Sequence, residues 1–190
     1  MSQADWQQRY AERDPVWSGR VNPWLAEVAG PLPPGRALDL ACGEGADAIH
    51  LAERGWHVTA VDFAPAGLAR GQAAAAQSGV DGRIHWVAAD ITELRHPVPF
   101  DLVTISFFHP PDPATRDAAL LGAWQACAGV LLVVAHDPAS APLGPPPHLL
   151  YGIGEVLAAL GGPAEQVSGA LRQRSSPAGV WTDAVVVARR

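Results

Sequence analysis

Four acids, two glycines and two histidines carry the chemistry available to this chain. Asp39 closes the apolar run Arg36-Ala-Leu-Asp-Leu40, and Gly43 and Gly45 follow it at once. Asp62 and Asp90 follow two further apolar runs, and His109, His136 and Asp137 come after two more. Glycines at such a turn let the backbone pass close to a ligand with no Cβ in the way. Carboxylates at strand tips accept from hydroxyl and ammonium groups, and an imidazole near its ordinary pKa can take a proton. A buried strand, a glycine turn and a helix opening toward the same edge make a nucleotide-binding edge, with N–H groups from Gly45 onward expected to face the ligand.

Two schemes fit this turn. Gly43-x-Gly45-x-x-Ala48 satisfies the dinucleotide pattern G-x-G-x-x-A, and Asp62 supplies the acid after the second strand. The same residues read as Asp39-x-Ala41-x-Gly43-x-Gly45, which resembles the acid-x-G-x-G-x-G turn of class I S-adenosylmethionine (SAM)-dependent methyltransferases at three of four positions, with Ala41 for the first glycine. Asp39 favours the second scheme, because a carboxylate there can accept from a ligand ammonium and would repel a pyrophosphate. Cys42, inside the turn, reads as a small residue filling a tight space.

The elements that must position these groups alternate in type. His57–Asp62 and Arg83–Val87 read as strands two and three, Phe100–Ser106 as strand four, and the β-branched run Val130–Ala135 as a strand buried on both faces. The segment after Gly45 reads as a helix ending at Arg54-Gly55. Asp112-Pro113 opens another, expected to run to Cys127 with Leu120, Leu121 and Trp124 inward and Gly129 as its stop. Pro138–Pro147 reads as a mobile loop, His148–Leu160 as a helix, and Glu165–Arg172 with Val180–Ala188 as a strand pair around the turn signal Ser175–Gly179. The expected fold is α/β: a doubly wound, mostly parallel seven-stranded sheet with an antiparallel C-terminal strand.

Composition narrows the partner. The 190 residues carry a formal net charge of −6, and all thirteen basic residues are arginine. Without lysine there is no P-loop lysine, Schiff base or lysine base. Scattered arginines on an acidic chain make no stripe for a phosphate backbone, so a small molecule is expected and nucleic acid is not. Cys42 and Cys127 are too few and too far apart for a zinc or disulfide framework, so no metal is expected. Neither a signal peptide nor a membrane span is visible, which implies the cytoplasm. The missing lysine and abundant alanine suggest a high-GC bacterial coding sequence.

The wider resemblance spans nearly the whole chain. The N-terminal Trp6-Gln-Gln-Arg-Tyr10, followed by Trp17-Ser-Gly-Arg-Val-Asn22, is similar to the start of small bacterial methyltransferases of the tellurite-resistance and thiopurine type. That resemblance implies an N-terminal lid over residues 1–30, a single SAM-binding domain over 31–190, and cofactor or substrate contacts from Trp17 and Asn22. It further implies that Asp62 holds the ribose, that Asp90 and the Ile91 backbone read the adenine, and that Ser106 and Phe107 stand where the methyl group meets its acceptor. Phe63 either stacks on adenine or packs on the sheet. His109, His136 and Asp137 are the candidate catalytic groups, while His50, His57, His85 and His96 fall on helix or strand surfaces.

Each acid also has a purely structural alternative as a strand end or helix cap. The function classes in play are methyl transfer to a thiol, an anion or a heterocyclic nitrogen or oxygen; a nicotinamide-dinucleotide oxidoreductase on the same turn; and a SAM-binding protein without catalysis. A homodimer stands beside a monomer as an open assembly.

Overall fold

The computed structural model describes residues 3–12, 16–94, 98–140, 145–177 and 179–190. Pro15, His96 and part of the expected Pro138–Pro147 loop lie outside them. The elements run α1 (Gln3–Ala11), α2 (Pro23–Ala29), β1 (Arg36–Leu40), α3 (Ala46–Glu53), β2 (His57–Asp62), α4 (Pro65–Gln77) and β3 (Ile84–Ala88). The second half runs β4 (Phe100–Ser106), α5 (Pro113–Ala126), β5 (Cys127–His136), α6 (Ile153–Ala159), β6 (Gln166–Ser176) and β7 (Gly179–Arg189). Among the described residues no helix is long and apolar enough to cross a membrane.

One seven-stranded sheet, in the order β3-β2-β1-β4-β5-β7-β6, holds these elements together. Strands β1 to β5 are parallel, and β7 runs antiparallel to both β5 and β6, as the sequence implied. The chain moves outward from β1 to β3 and then returns to β4 on the other side of β1. This reversal opens a crevice beyond the carboxyl ends of β1 and β4, the place where open α/β sheets bind ligands. Both faces are covered: Leu38, Leu40, Val103, Ile105, Leu131 and Val133 face α5 and α6, while Ala37, Leu102, Leu132 and Val134 face α2 and α3.

Three boundaries differ from expectation, each for a local reason. Helix α5 is capped by Asp112, whose side chain accepts from the Ala114 and Thr115 N–H groups, but it ends at Ala126 and passes into β5 without a loop. Cys127 is therefore the first residue of a strand, and Gly129 lies inside that strand, where a Cβ would collide with the Asp101 carbonyl. Leu121 turns outward and is exposed. The expected helix over His148–Leu160 shrinks to Ile153–Ala159, because the Gly152 N–H donates to Glu155 Oε2 (3.1 Å) and starts the helix there. The C-terminal hairpin is longer than expected, pairing Ser176 with Gly179, so Gln173 and Arg174 belong to β6 opposite Thr182 and Trp181.

Close backbone approach governs the region around β1. The buried face of α4 includes Gly67, Leu68, Gly71 and Ala75. Gly67 and Gly71, one turn apart, let α4 lie against the Gly43–Gly45 turn and against Trp86 of β3. An alanine in a helix interior is ordinarily about 1 kcal/mol better than glycine. At position 71 the added methyl would stand 2.6 Å from Trp86 Cη2 and 3.0 Å from the Glu44 carbonyl oxygen. Gly71→Ala is therefore expected to destabilise the fold by about 1–3 kcal/mol, measured by urea unfolding, and a raised midpoint would contradict this packing.

Candidate active site

The strand β1 delivers Asp39 to the crevice and the chain then turns through three left-handed residues, Ala41 and Gly43 at φ of 55° and Gly45 at 76°. Ala41 stands in a conformation that disfavours any side chain. The N–H groups of this turn are used internally: Cys42 donates to Val61 O (3.0 Å), Gly43 to Asp62 Oδ2 (2.9 Å) and Gly45 to Cys42 O (2.8 Å). The Ala48 N–H in the first turn of α3 pulls the Asp39 carboxyl pKa down, against the larger effects that raise it. The expectation of free N–H groups from Gly45 onward is thus corrected at Gly45.

Three carboxylates crowd this turn. Asp39 is buried, and among the described residues neither its Oδ2 nor the buried hydroxyl of the neighbouring Thr104 on β4 has a hydrogen-bond partner. Burial, then the nearby charges of Asp47 and Asp62, hold the Asp39 carboxyl well above the usual carboxylate range. Asp47 is pushed up to about 6 by burial, against the Asn22 N–H and the Ser106 hydroxyl, which pull it down. Burial also raises Asp62, against N–H groups of Ala64, Gly43 and Phe63 that donate to it. The Cys42 thiol is raised by burial and by Asp39 and Asp62, which keeps it protonated and a poor nucleophile.

Asp62 is both a strand tip and a strut. Its two oxygens accept from Gly43 N and Ala64 N, each at 2.9 Å, and each keeps further acceptor capacity. Phe63 follows it, half-buried. Asp90, exposed beyond β3, accepts from the Thr92 N–H (2.9 Å) and hydroxyl (2.8 Å) through Oδ1, while Ile91 buries its side chain in the core.

The N-terminal segment lies directly over the glycine turn. A Cβ on Gly43 would stand 2.8 Å from the Tyr10 hydroxyl and 3.2 Å from Trp17 Nε1. Trp17 Nε1 donates to that hydroxyl (3.0 Å), and Glu44 accepts from the Val16 and Trp17 N–H groups while pairing with Arg70 at 2.6 Å. Trp6 stacks on Tyr10, their centroids 5.5 Å apart. Asn22 caps α2 by accepting from the Trp24 N–H, donates through its own N–H to Asp47 (2.7 Å), and donates through Nδ2 to Ser106 Oγ (3.2 Å).

Across the crevice lies an aromatic and basic cluster. Phe107 exits β4 at a φ of 55°, its N–H donating to Val134 O (2.7 Å) and its ring stacked 4.4 Å from His136. His136 Nδ1 is 3.1 Å from Oδ1 of Asp183, its cross-strand neighbour on β7. Asp183 is fully buried. Burial would raise its pKa, but donors from His136, Trp24 and Arg174 bring it below the ordinary value. An ionised partner at Nδ1 places the ring proton there and leaves Nε2 as the lone-pair nitrogen, which has no hydrogen-bond partner among the described residues.

The other two candidate catalytic groups are placed differently. His109 Nδ1 meets the Leu149 carbonyl at 3.1 Å, and its Nε2 accepts from the His136 N–H at 3.3 Å. Both ring nitrogens are engaged by backbone, and burial with the neighbouring His136 lowers the ring to about 4. His109 is therefore a neutral bracket between the Leu149 segment and the end of β5. Asp137 accepts from the Ala139 N–H at 2.9 Å, and its own N–H and carbonyl bond Thr182 and Ser140, so it shapes a turn. Asp183, Arg174, Trp181, Asp47 and Glu44 escape the sequence reading. The one signal for Asp183 is a carboxylate directly before the apolar run Ala184–Ala188.

Residues 37–128, just under half of the chain, match the family model described as a methyltransferase domain. The chain is 33% identical over 116 residues to the ubiquinone biosynthesis O-methyltransferase of Pseudomonas fluorescens, covering 58% of this chain and 49% of that one. It is 40% identical over 95 residues to the demethylmenaquinone methyltransferase of Clavibacter sepedonicus, covering 50% and 36%. The chain thus spans half or less of the length of these relatives. The N-methyltransferase NodS of Bradyrhizobium japonicum WM9, solved in complex with S-adenosylhomocysteine, superposes with a TM-score of 0.75 at 18% identity, over 98% of this chain and 97% of that one. The fold is the Rossmann-like fold of class I SAM-dependent methyltransferases.

The raised carboxyls give the site a measurable pH signature. A folded-state pKa of about 6 at Asp47 lies above the unfolded value of 3.8, so the folded state binds the extra proton between them. Stability from this source is present below about pH 4 and is lost as pH rises through 6. Asp47→Asn is expected to remove its share of that loss and to leave the variant about 1–3 kcal/mol more stable near pH 7 relative to wild type. Urea midpoints from pH 4 to 7.5 test this, and parallel curves for the two proteins would refute it.

Proposed function

We propose that this protein is a SAM-dependent methyltransferase whose acceptor is a small molecule, with an oxygen nucleophile as the favoured acceptor atom. The observation that carries the reading is the carboxylate cluster at the turn. Asp39 already occupies the start of α3, where a pyrophosphate would otherwise sit, and the raised pKa values of Asp39, Asp47 and Asp62 mark a site that gains from a cation. SAM carries both an ammonium and a sulfonium, whereas a nicotinamide dinucleotide brings a doubly charged anion. The unpartnered Asp39 Oδ2 and Thr104 hydroxyl, and a turn held in left-handed conformations, fit the methionine end of such a ligand.

SAM when bound supplies an activated methyl group. The chain's own residues bind, orient and exclude water. In this reading Asp62 takes the ribose hydroxyls, Phe63, Asp90 and the Ile91 backbone face the adenine, and Ala41, Cys42, Gly43 and Gly45 line the methionine path. Residues 1–30, through Tyr10 and Trp17, act as a lid over the single domain of 31–190. Ser106 and Phe107 separate the cofactor half from the acceptor half. His136 Nε2 takes the acceptor's proton, held by Asp183, while His109 and Asp137 support the loops around it. An oxygen acceptor agrees with the O-methyltransferase among the relatives; the likeness to tellurite-resistance and thiopurine enzymes rests on Trp6, Tyr10 and Trp17 alone. A cytoplasmic enzyme free of nucleic-acid and membrane partners, acting as monomer or homodimer, completes the proposal.

Calorimetry with S-adenosylhomocysteine tests the cofactor directly, with binding in the low micromolar range as the expected result. Asp62→Asn is the variant of choice, because Asp62→Ala would also release the Gly43 and Ala64 N–H groups. It should weaken that binding about tenfold or more, as loss of charge-assisted bonds worth roughly 1.5–3 kcal/mol each requires. Heat from a nicotinamide dinucleotide and none from S-adenosylhomocysteine would overturn the reading.

The base role is tested on any acceptor found by screening labelled SAM against phenols, thiols, amines and anions. His136→Asn should lower the rate by about 10²–10⁴-fold at neutral pH. The deficit should shrink as pH approaches the acceptor's own pKa, since the nucleophile then arrives ionised. A deficit equal at every pH would leave His136 a matter of shape only.

A further inference from the structure

We infer that Arg174 is the anion-recognition group of the acceptor site, and that the acceptor is a planar molecule bearing a carboxylate or a similarly flat oxyanion. The inference rests on the methyl-transfer reading and adds to it the acceptor's charge and shape.

Arg174 reaches the site only because β6 continues past Arg172 to pair with Trp181. Its guanidinium carbon stands 5.1 Å from the Phe107 ring centroid and 5.2 Å from that of Trp181. The two contacts give the cation aromatic faces to lie on. Nε donates to Asp183 Oδ2 at 2.7 Å, which prevents the group from turning about its own axis. Among the described residues the two Nη nitrogens have no hydrogen-bond partner, although the side chain is only 25% exposed. The neighbouring Arg172 shows the contrast: both of its terminal nitrogens bond Glu27, at 3.3 and 2.7 Å. Arg174 alone of this pair keeps its terminal donors open, and that planar fork matches a carboxylate.

The location ties this fork to the reaction. Phe107 and Trp181 are also the rings that pack on His136, at 4.4 and 4.5 Å between centroids. The base and the guanidinium therefore share the same two aromatic walls and the same carboxylate, Asp183. Asp183 divides its charge among His136, Trp24 and Arg174, so it does not satisfy the guanidinium by itself. An acceptor lying flat against this cluster can present one polar end to His136 and an anionic end to Arg174.

The test uses wild-type protein saturated with S-adenosylhomocysteine and titrated with benzoate and with benzamide, which have the same ring and differ in charge. Benzoate should bind at least tenfold more tightly than benzamide. Arg174→Gln should bring benzoate down to the benzamide level with S-adenosylhomocysteine affinity unchanged, and Arg174→Lys, which keeps the charge without the fork, should fall between. Benzoate binding no tighter than benzamide in the wild type, or undiminished in a folded Arg174→Gln, overturns the proposal. Loss of S-adenosylhomocysteine binding by the wild type would instead defeat the methyltransferase reading on which it stands.

Discussion

The burial of the Asp39 carboxylate at the end of β1, beside the start of α3, organises the rest of the crevice. That carboxylate sits where the strand order reverses, between β1 and α3. A carboxylate at a helix start is favourable because it meets unpaired N–H groups and the positive end of the helix dipole. Here burial, with no basic partner among the described residues, raises the carboxyl pKa. The turn between them must then cross in three left-handed steps, Ala41, Gly43 and Gly45, and α4 can approach only through Gly67 and Gly71.

The crevice therefore has two halves of opposite character. Around β1 and β2 it is acidic, with Asp39, Asp47 and Asp62 close together and Arg70 already committed to Glu44. Around β5, β7 and β6 it is aromatic and basic, with His136, Arg174, Phe107 and Trp181 grouped about one buried anion. Ser106 lies on the border, bonded through Asn22 and Asp47 to the acidic half and followed directly by Phe107 in the other. Phe107 holds an uncommon positive φ for an aromatic residue, the kind of local strain that concentrates at functional positions.

The N-terminal segment shows how one patch of chain joins two tasks. Tyr10 and Trp17 cover Gly43, and the backbone at Val16 and Trp17 hangs on the side chain of Glu44, a residue of the turn itself. The turn and the segment above it are thus tied together by side-chain contacts. A few residues later Asn22 and Trp24 reach the opposite half, bonding Ser106 and Asp183.

What the sequence alone determined is local in origin. The strands β1, β2 and β4, the glycine turn, the Asp112-Pro113 start of α5 and the strand-tip acids could all be read, because apolar period, glycine and capping residues act within a few positions of themselves. Misplaced ends had causes elsewhere in the chain, such as Gly129, required by the Asp101 carbonyl rather than by a helix stop. The histidine roles were equally out of reach. His109 and His136 look alike in sequence, and only the fold shows the first clamped between Leu149 and the His136 N–H and the second aligned on Asp183, 47 positions away. Asp183 lay inside the expected strand pair and Arg174 just beyond it, and the hairpin's true register, extended by Ser176 pairing with Gly179, brings both to the site. Tertiary structure decided these because a hydrogen-bond partner across a sheet leaves no periodic trace along the chain.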